Sequence, residues 1–254
     1  NFIFASKTGD IAIWQQGKFP ARWNRQGLYV MPGEDSSYMW QGFIPQPENP
    51  HAKNPERGFL ESANQRPVDS TYPYFIPGSY ITPRAITIEN KLAAMSGITP
   101  KDMMTLHGNY FNTLAEDVRS TLVQYVNETV LNATEKKYLA IIKNWDLMAS
   151  PDSKGQTVYQ CWWDSLEVEI WKDDLARVSP QAPWPEEQTT MELLKKDSAL
   201  QFIDNINTPQ KETLYDAVTT ALKKASADLA TKEAEGKLEW TKFKNPTVYH
   251  LLKD

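Results

Sequence analysis

The strongest constraint on the fold is a run of apolar residues at helical spacing between Gly155 and Arg177. Val158, Trp162, Leu166, Ile170 and Trp171 recur about once per turn, so they share one face of a helix. Such a face must be buried against other elements. Partners of the same kind lie on both sides. Leu114, Val118, Leu122 and Val126 repeat at four-residue steps. Leu214, Val218, Leu222 and Leu229 line one side of a later helix whose Lys and Glu residues face the other. Leu139 and Ile142 mark a helix capped by Thr134, and Glu186 to Lys196 reads as a short helix. Thr99-Pro100-Lys101-Asp102 combines a capping hydroxyl, Pro at the first position and an acid in the first turn, which predicts a helix start. Thr208-Pro209 is read as the cap of the helix that Gly236 ends, and Ser179 to Pro185 as a proline-broken loop. Leu238 to Asp254 reads as irregular, anchored by Trp240, Phe243, Tyr249 and Leu251.

The N-terminal part has a different period. Asn1 to Ala5 is apolar enough for a buried strand, Lys7 to Asp10 is a turn, and Ile11 to Gln15 returns, which predicts a hairpin. Gly17 to Pro50 is rich in Gly, Pro and aromatics without a period, as in a long loop packing its own rings, Trp23, Tyr29, Tyr38, Trp40 and Phe43 among them. His51 to Arg57 is polar and expected to be exposed, and Gly58 to Ala63 is expected to be the third strand. Helical character begins after Pro83, with Ile86, Ile88 and Leu92 near helical spacing. Strands first and helices afterwards predict an α+β fold, β-rich over 1–83 and mainly helical over 84–254.

Composition removes several function classes. A net charge of −5 leaves no basic footprint for nucleic acid, and no apolar run is long enough to span a bilayer. Cys161 is the only cysteine, so a thiolate zinc site is excluded, and beside Trp162 and Trp163 it reads as a small buried thiol. His51, His107 and His250 are far apart and offer neither a metal cluster nor a local triad motif.

The stretch with chemistry in it is Gly58 to Pro67, GFLESANQRP. Pro67 lacks an N–H and biases Arg66 toward an extended conformation, so pairing should stop there. Two side-chain amides, Asn64 and Gln65, sit at this corner. Fixed amide donors can stabilise a developing oxyanion. The plainer reading is that Asn collects at such corners because it makes turns.

The run GFLESANQRPVDSTYPYF resembles the penicillin amidase (penicillin acylase) family of N-terminal-nucleophile hydrolases. GDIAIWQQGKFPAR, MPGEDSSYMWQGFIP and NWDLMASPDSKGQTVYQCWW resemble further segments of that family in the same order, so the likeness covers most of the chain. It implies strands belonging to an αββα core and an enzyme that cleaves a linear amide. It also implies an N-terminal Ser nucleophile, freed by autocatalytic cleavage, whose own α-amine is the general base. By motif position Asn64 matches the family's oxyanion Asn. Arg84, in Thr82-Pro83-Arg84, matches an Arg that orients that Asn and tunes the amine. No cofactor is implied. Some members hold a structural calcium through a carboxylate just before the Arg; Ile76 and Pro77 stand in that region here, so calcium is not expected from this chain.

The chain begins with Asn1 rather than Ser, and its first hairpin aligns downstream of the nucleophile. The expectation is therefore an internal piece of the nucleophile-bearing chain, inert alone. Its partners would be the remaining parts of the same precursor and a small acyl amide. The resemblance implies a bacterial periplasmic or secreted protein. Two rivals stand beside this reading: an aromatic-rich sugar- or peptide-binding module, and an inactive relative of the family.

Overall fold

A computed structural model of the chain describes residues 1–78, 80, 82–178 and 182–252. They form two compact units, Asn1–His107 and Gly108–Asp254.

In the first unit, β1 (Phe2–Ala5) and β2 (Ile11–Trp14) form the hairpin, with Phe2 opposite Trp14. The third strand is β3 (His51–Lys53), antiparallel to β2 and giving the order β1-β2-β3. This corrects the expected strand at Gly58 to Ala63. The Trp14 ring stacks on its cross-strand partner His51, with centroids 4.1 Å apart. Asn54 then clamps β2: its N–H donates to Ile11 O and its side-chain oxygen accepts the Ile11 N–H. Gly58 has φ +75° and closes a turn onto Pro55, and side chains take backbone groups beyond it, so no ladder forms there. β1 is also not buried; Phe2, Ile3 and Phe4 are 69%, 65% and 55% exposed because nothing among the described residues covers them.

The loop after β2 is irregular, as read, and the Trp23 and Tyr38 rings meet edge-on, but Tyr29, Trp40 and Phe43 are more than half exposed, so the loop does not bury its own rings as expected. Two helices complete this unit, α1 (Pro83–Ala93) and α2 (Pro100–His107). The division between compact units thus falls after α2, whereas the change in element type falls at residue 83. Thr99 and Asp102 exchange hydrogen bonds across the first turn of α2.

The second unit is helical: α3 (Thr113–Tyr125), α4 (Ala133–Asn144), α5 (Lys154–Leu175), α6 (Glu187–Lys196), α7 (Leu214–Ala234) and α8 (Trp240–Lys244). Val158, Trp162, Leu166 and Ile170 of α5 are fully buried, together with Val218, Ala221 and Leu222 of α7. The small Ala221 and Ala225 on α7 suit a close approach, and the Trp162 indole N–H donates to Val218 O at 3.0 Å. Three end assignments are corrected. Asn132, not Thr134, caps α4, because Glu135 three residues on completes a capping box. Thr213 with Asp216 does the same for α7 in place of Thr208. Trp240 to Lys244 is helical, and Tyr249 and Leu251 are exposed rather than buried anchors. Of the expected proline-broken loop, Ser179, Pro180 and Gln181 lie outside the described residues.

Candidate active site

The corner at Ala63–Asn64 is backbone outside any strand, held by the side chains of Gln65 and of Arg84 on α1. Asn64 adopts the left-handed conformation, φ +66°. Among L-residues Asn tolerates this region well, because its short polar side chain bonds locally. Pro83 opens α1 and so places Arg84 in its first turn. A cation there is opposed by the helix dipole by about 0.3–1 kcal/mol, so its position calls for compensation. Arg84 Nη2 donates to Ala63 O at 3.1 Å and to Asn64 Oδ1 at 2.5 Å.

That second bond settles which way the Asn64 amide faces. A guanidinium only donates, so Oδ1 must lie toward Arg84 and Nδ2 away from it. Asn64 is exposed and, among the described residues, its Nδ2 has no acceptor. Asn64 lines a cavity of about 420 Å³ whose wall includes Gln15, Phe19, Arg22, Phe75, Ile76 and Tyr80. This wall is partly apolar and includes the Arg22 cation, a setting for an acyl or amine group beside a fixed donor.

Asn64 and Arg84, separated by twenty residues, are therefore brought into direct contact. Gln65 does not share the role of Asn64; its amide turns back onto the corner, with Oε1 accepting the Ala63 N–H at 2.7 Å. Arg57, Glu61 and Glu89 also converge here, and sequence reasoning missed them. Their one signal is the spacing of Arg57, Glu61 and Gln65 at steps of four, which reads as a helix face in a segment that is not helical. Ile76 and Pro77 offer no side-chain oxygen, and no group of three or more His, Cys, Asp or Glu among the described residues is placed to hold a metal ion. Cys161 is partly buried, and burial pushes its thiol up to about 12, which disfavours a nucleophilic thiolate. Among the described residues no helix is long and apolar enough to cross a membrane.

The penicillin amidase family model matches residues 1–254, and the chain belongs to that family, whose named members are amide-hydrolysing acylases. The chain is 26% identical to the acyl-homoserine lactone acylase QuiP of Pseudomonas putida, over 100% of its own length and 34% of that protein's. It is 23% identical to penicillin acylase 2 proenzyme of a Pseudomonas species, over 65% of its own length and 21% of that protein's. The thermostable penicillin G acylase of Alcaligenes faecalis has the same fold, with a TM-score of 0.63 at 17% identity, covering 94% of this chain and 48% of that one. The chain thus spans about a third of the QuiP relative it matches along its whole length.

Proposed function

We propose that this chain supplies the oxyanion corner of an acylase that hydrolyses a linear amide between an acyl group and an amine. The observation that carries the reading is the donor-only contact of Arg84 with Asn64 Oδ1, which leaves Nδ2 facing outward beside the cavity. An Asn there, fixed before the reaction begins, costs no reorganisation when charge develops on the substrate oxygen. The nucleophile, an N-terminal Ser with its α-amine as base, lies in a part of the enzyme outside this chain. As the Ser hydroxyl attacks, the carbonyl oxygen becomes negative and Asn64 Nδ2 donates to it. Collapse of that intermediate expels the amine and leaves an acyl-enzyme, which water hydrolyses. The positive charge of Arg84 close to the α-amine would lower its pKa and favour the neutral base. We place the enzyme in the bacterial periplasm or outside the cell, assembled with the rest of its precursor, as the family resemblance implies; the relatives it matches are bacterial.

The exposed rings of Tyr29, Trp40 and Phe43 support a second reading, a loop that binds a sugar or peptide. Titration of the chain with glycans and peptides separates the two, since an acylase segment should bind neither tightly. The direct test is Asn64→Gly in the full-length protein. Glycine accepts φ +66° without strain, so the corner survives while the donor is lost. The expected result is a fall in kcat on the order of 10²–10³ with little change in KM. A correctly matured variant with kcat within about threefold of wild type, far short of the cost of a lost donor, would remove Asn64 from the reaction.

A further inference from the structure

The corner is gripped from a second side by groups that the proposed reaction does not use. The Glu61 side chain is only 8% exposed, and its two oxygens have different partners. Oε2 accepts from Arg57 Nη2 at 2.7 Å, and Oε1 accepts from Gln65 Nε2 at 2.8 Å. A carboxylate only accepts, so the Gln65 amide has its nitrogen toward Glu61 and its oxygen toward the Ala63 N–H. Arg57 Nη1 reaches α1 and donates to Glu89 Oε1 at 3.1 Å, while its Nε donates to Phe59 O at 3.2 Å. Helix α1 therefore holds the corner twice: directly through Arg84, and in series through Glu89, Arg57, Glu61 and Gln65. The two routes meet at Ala63, whose N–H is taken by Gln65 and whose C=O is taken by Arg84. Asn64 follows immediately.

We propose that Glu61 is a positioning residue for the Asn64 amide, acting through Gln65 and braced on α1 by Arg57 and Glu89. The proposal rests on the oxyanion role of Asn64. The two peptide units of Ala63 set where the Asn64 Cβ points, and hence where Nδ2 lies. If Gln65 is released, the Ala63 N–H loses its acceptor and the unit can rotate. A donor weakens steeply when misaligned. Because this donor matters most when charge develops on the substrate, the loss belongs to kcat and not to KM. Exposed ion pairs contribute little stability, and Arg57 and Glu89 are the exposed members. A near-buried carboxylate that links a half-exposed Arg to one side-chain amide is better explained by geometry than by stability.

The test uses Glu61→Gln and Gln65→Met in the full-length protein, each made both with Asn64 and with Asn64→Gly. kcat and KM are read on matured enzyme with chromogenic acyl amides. With Asn64 present, kcat should fall about tenfold at unchanged KM, since misplacement well under 1 Å already costs less than the full donor. With Asn64→Gly, the same substitutions should change kcat by less than about twofold, because no amide remains to be misplaced. Equal losses in both backgrounds, or a change in KM alone, would overturn the positioning role. An Asn64→Gly enzyme with wild-type kcat would instead overturn the oxyanion role, and the positioning role with it. If Glu61→Gln does not mature, the exposed Glu89→Gln carries the same comparison: a smaller kcat loss confined to the Asn64 background supports the relay, and none in either background overturns it.

Discussion

At the scale of single residues, Asn64 serves two ends that substitution can separate. Its left-handed backbone makes the turn before Pro67, and its side chain is held by Arg84. Asn64→Ala removes the donor and also forces a Cβ-bearing residue without local bonding into φ +66°, at about 1–2 kcal/mol. Asn64→Gly also removes the donor, together with the Oδ1 that Arg84 binds, but leaves the left-handed turn unstrained. The two variants should therefore share the same loss of kcat, while Ala alone lowers the melting temperature. Thermal unfolding beside steady-state kinetics checks this, and a kcat that tracks the melting temperature would make Asn64 a turn residue only. Arg84 yields a second contrast. One guanidinium nitrogen spans Ala63 O and Asn64 Oδ1, whereas a Lys ammonium is a compact, mobile charge. Arg84→Lys should cost nearly as much kcat as losing Asn64 if the fork aims the amide. A mild loss would mean that only its charge matters. Asn64 and Arg84 could be picked from the sequence because a family resemblance placed them. The Arg57–Glu61–Gln65 relay could not, because its four-residue spacing imitates a helix face in a segment that is not helical and its anchor Glu89 lies 32 residues from Arg57.

At the scale of elements, α5 and α7 were legible because each repeats its apolar residues once per turn and each is now buried along that stripe. β3 was not legible, because His51–Lys53 has no alternation of its own and is a strand through its pairing with Trp14. The caps at Asn132 and Thr213 were readable in principle, since each has an acidic residue three positions on. Packing at the start of α5 makes a sharper claim. A Cβ on Gly155 would lie 2.1 Å from Trp145 Cγ, and that ring is pinned by its N–H donating to Met148 O at 3.0 Å. Gly155→Ala should destabilise the helical unit by about 1–3 kcal/mol through overpacking, read as a lower midpoint in chemical unfolding. Wild-type stability would show that Trp145 can swing aside. Between α5 and α6 lies a set of half-buried acids. Burial, with Glu187 and Asp164 nearby, raises Glu167 from 4.5 to about 7, and burial also raises Glu187 and Asp164. The Tyr159 hydroxyl donates to Glu187 at 2.5 Å. A carboxyl whose folded pKa is raised binds more protons folded than unfolded. Its contribution is complete below about 4.5 and is lost as pH rises through about 7. Stability should therefore fall between those values, and Glu167→Gln should flatten the slope and stabilise the chain at pH 8. An unchanged slope in that variant would remove Glu167 as its source.

At the scale of the whole molecule, the two units differ in how much of their own surface they satisfy. The helical unit closes a core around Trp162, Trp163 and Leu166, each no more than 1% exposed. The three strands of the first unit are four, four and three residues long, and β1 leaves Phe2, Ile3 and Phe4 more than half exposed. A small sheet with an open apolar edge strand is marginal alone, and its unpaired edge groups are a template for a further strand. If the chain works inside a larger acylase, that edge is where the rest of the sheet would join. Local opening should then be cheap in β1 and β2 and costly in α5, since protection follows buried contacts and sheltered hydrogen bonds. Hydrogen exchange on the 254-residue chain should show amides of β1 and β2 exchanging far faster than those between Thr157 and Trp171 in α5. In the full-length protein the β1 amides should slow, while those of α5 change little. Equal and strong protection in both units of the isolated chain would mean that the sheet needs no neighbour, and would count against the larger assembly. The same chain should also fail to cleave phenylacetyl, glutaryl and long-chain acyl amides of a chromogenic amine if, as proposed, Asn64 only stabilises charge that a nucleophile outside this chain creates. Turnover that survives repurification would place a nucleophile within residues 1–254 and overturn the assignment of Asn64 as a helper to one outside them.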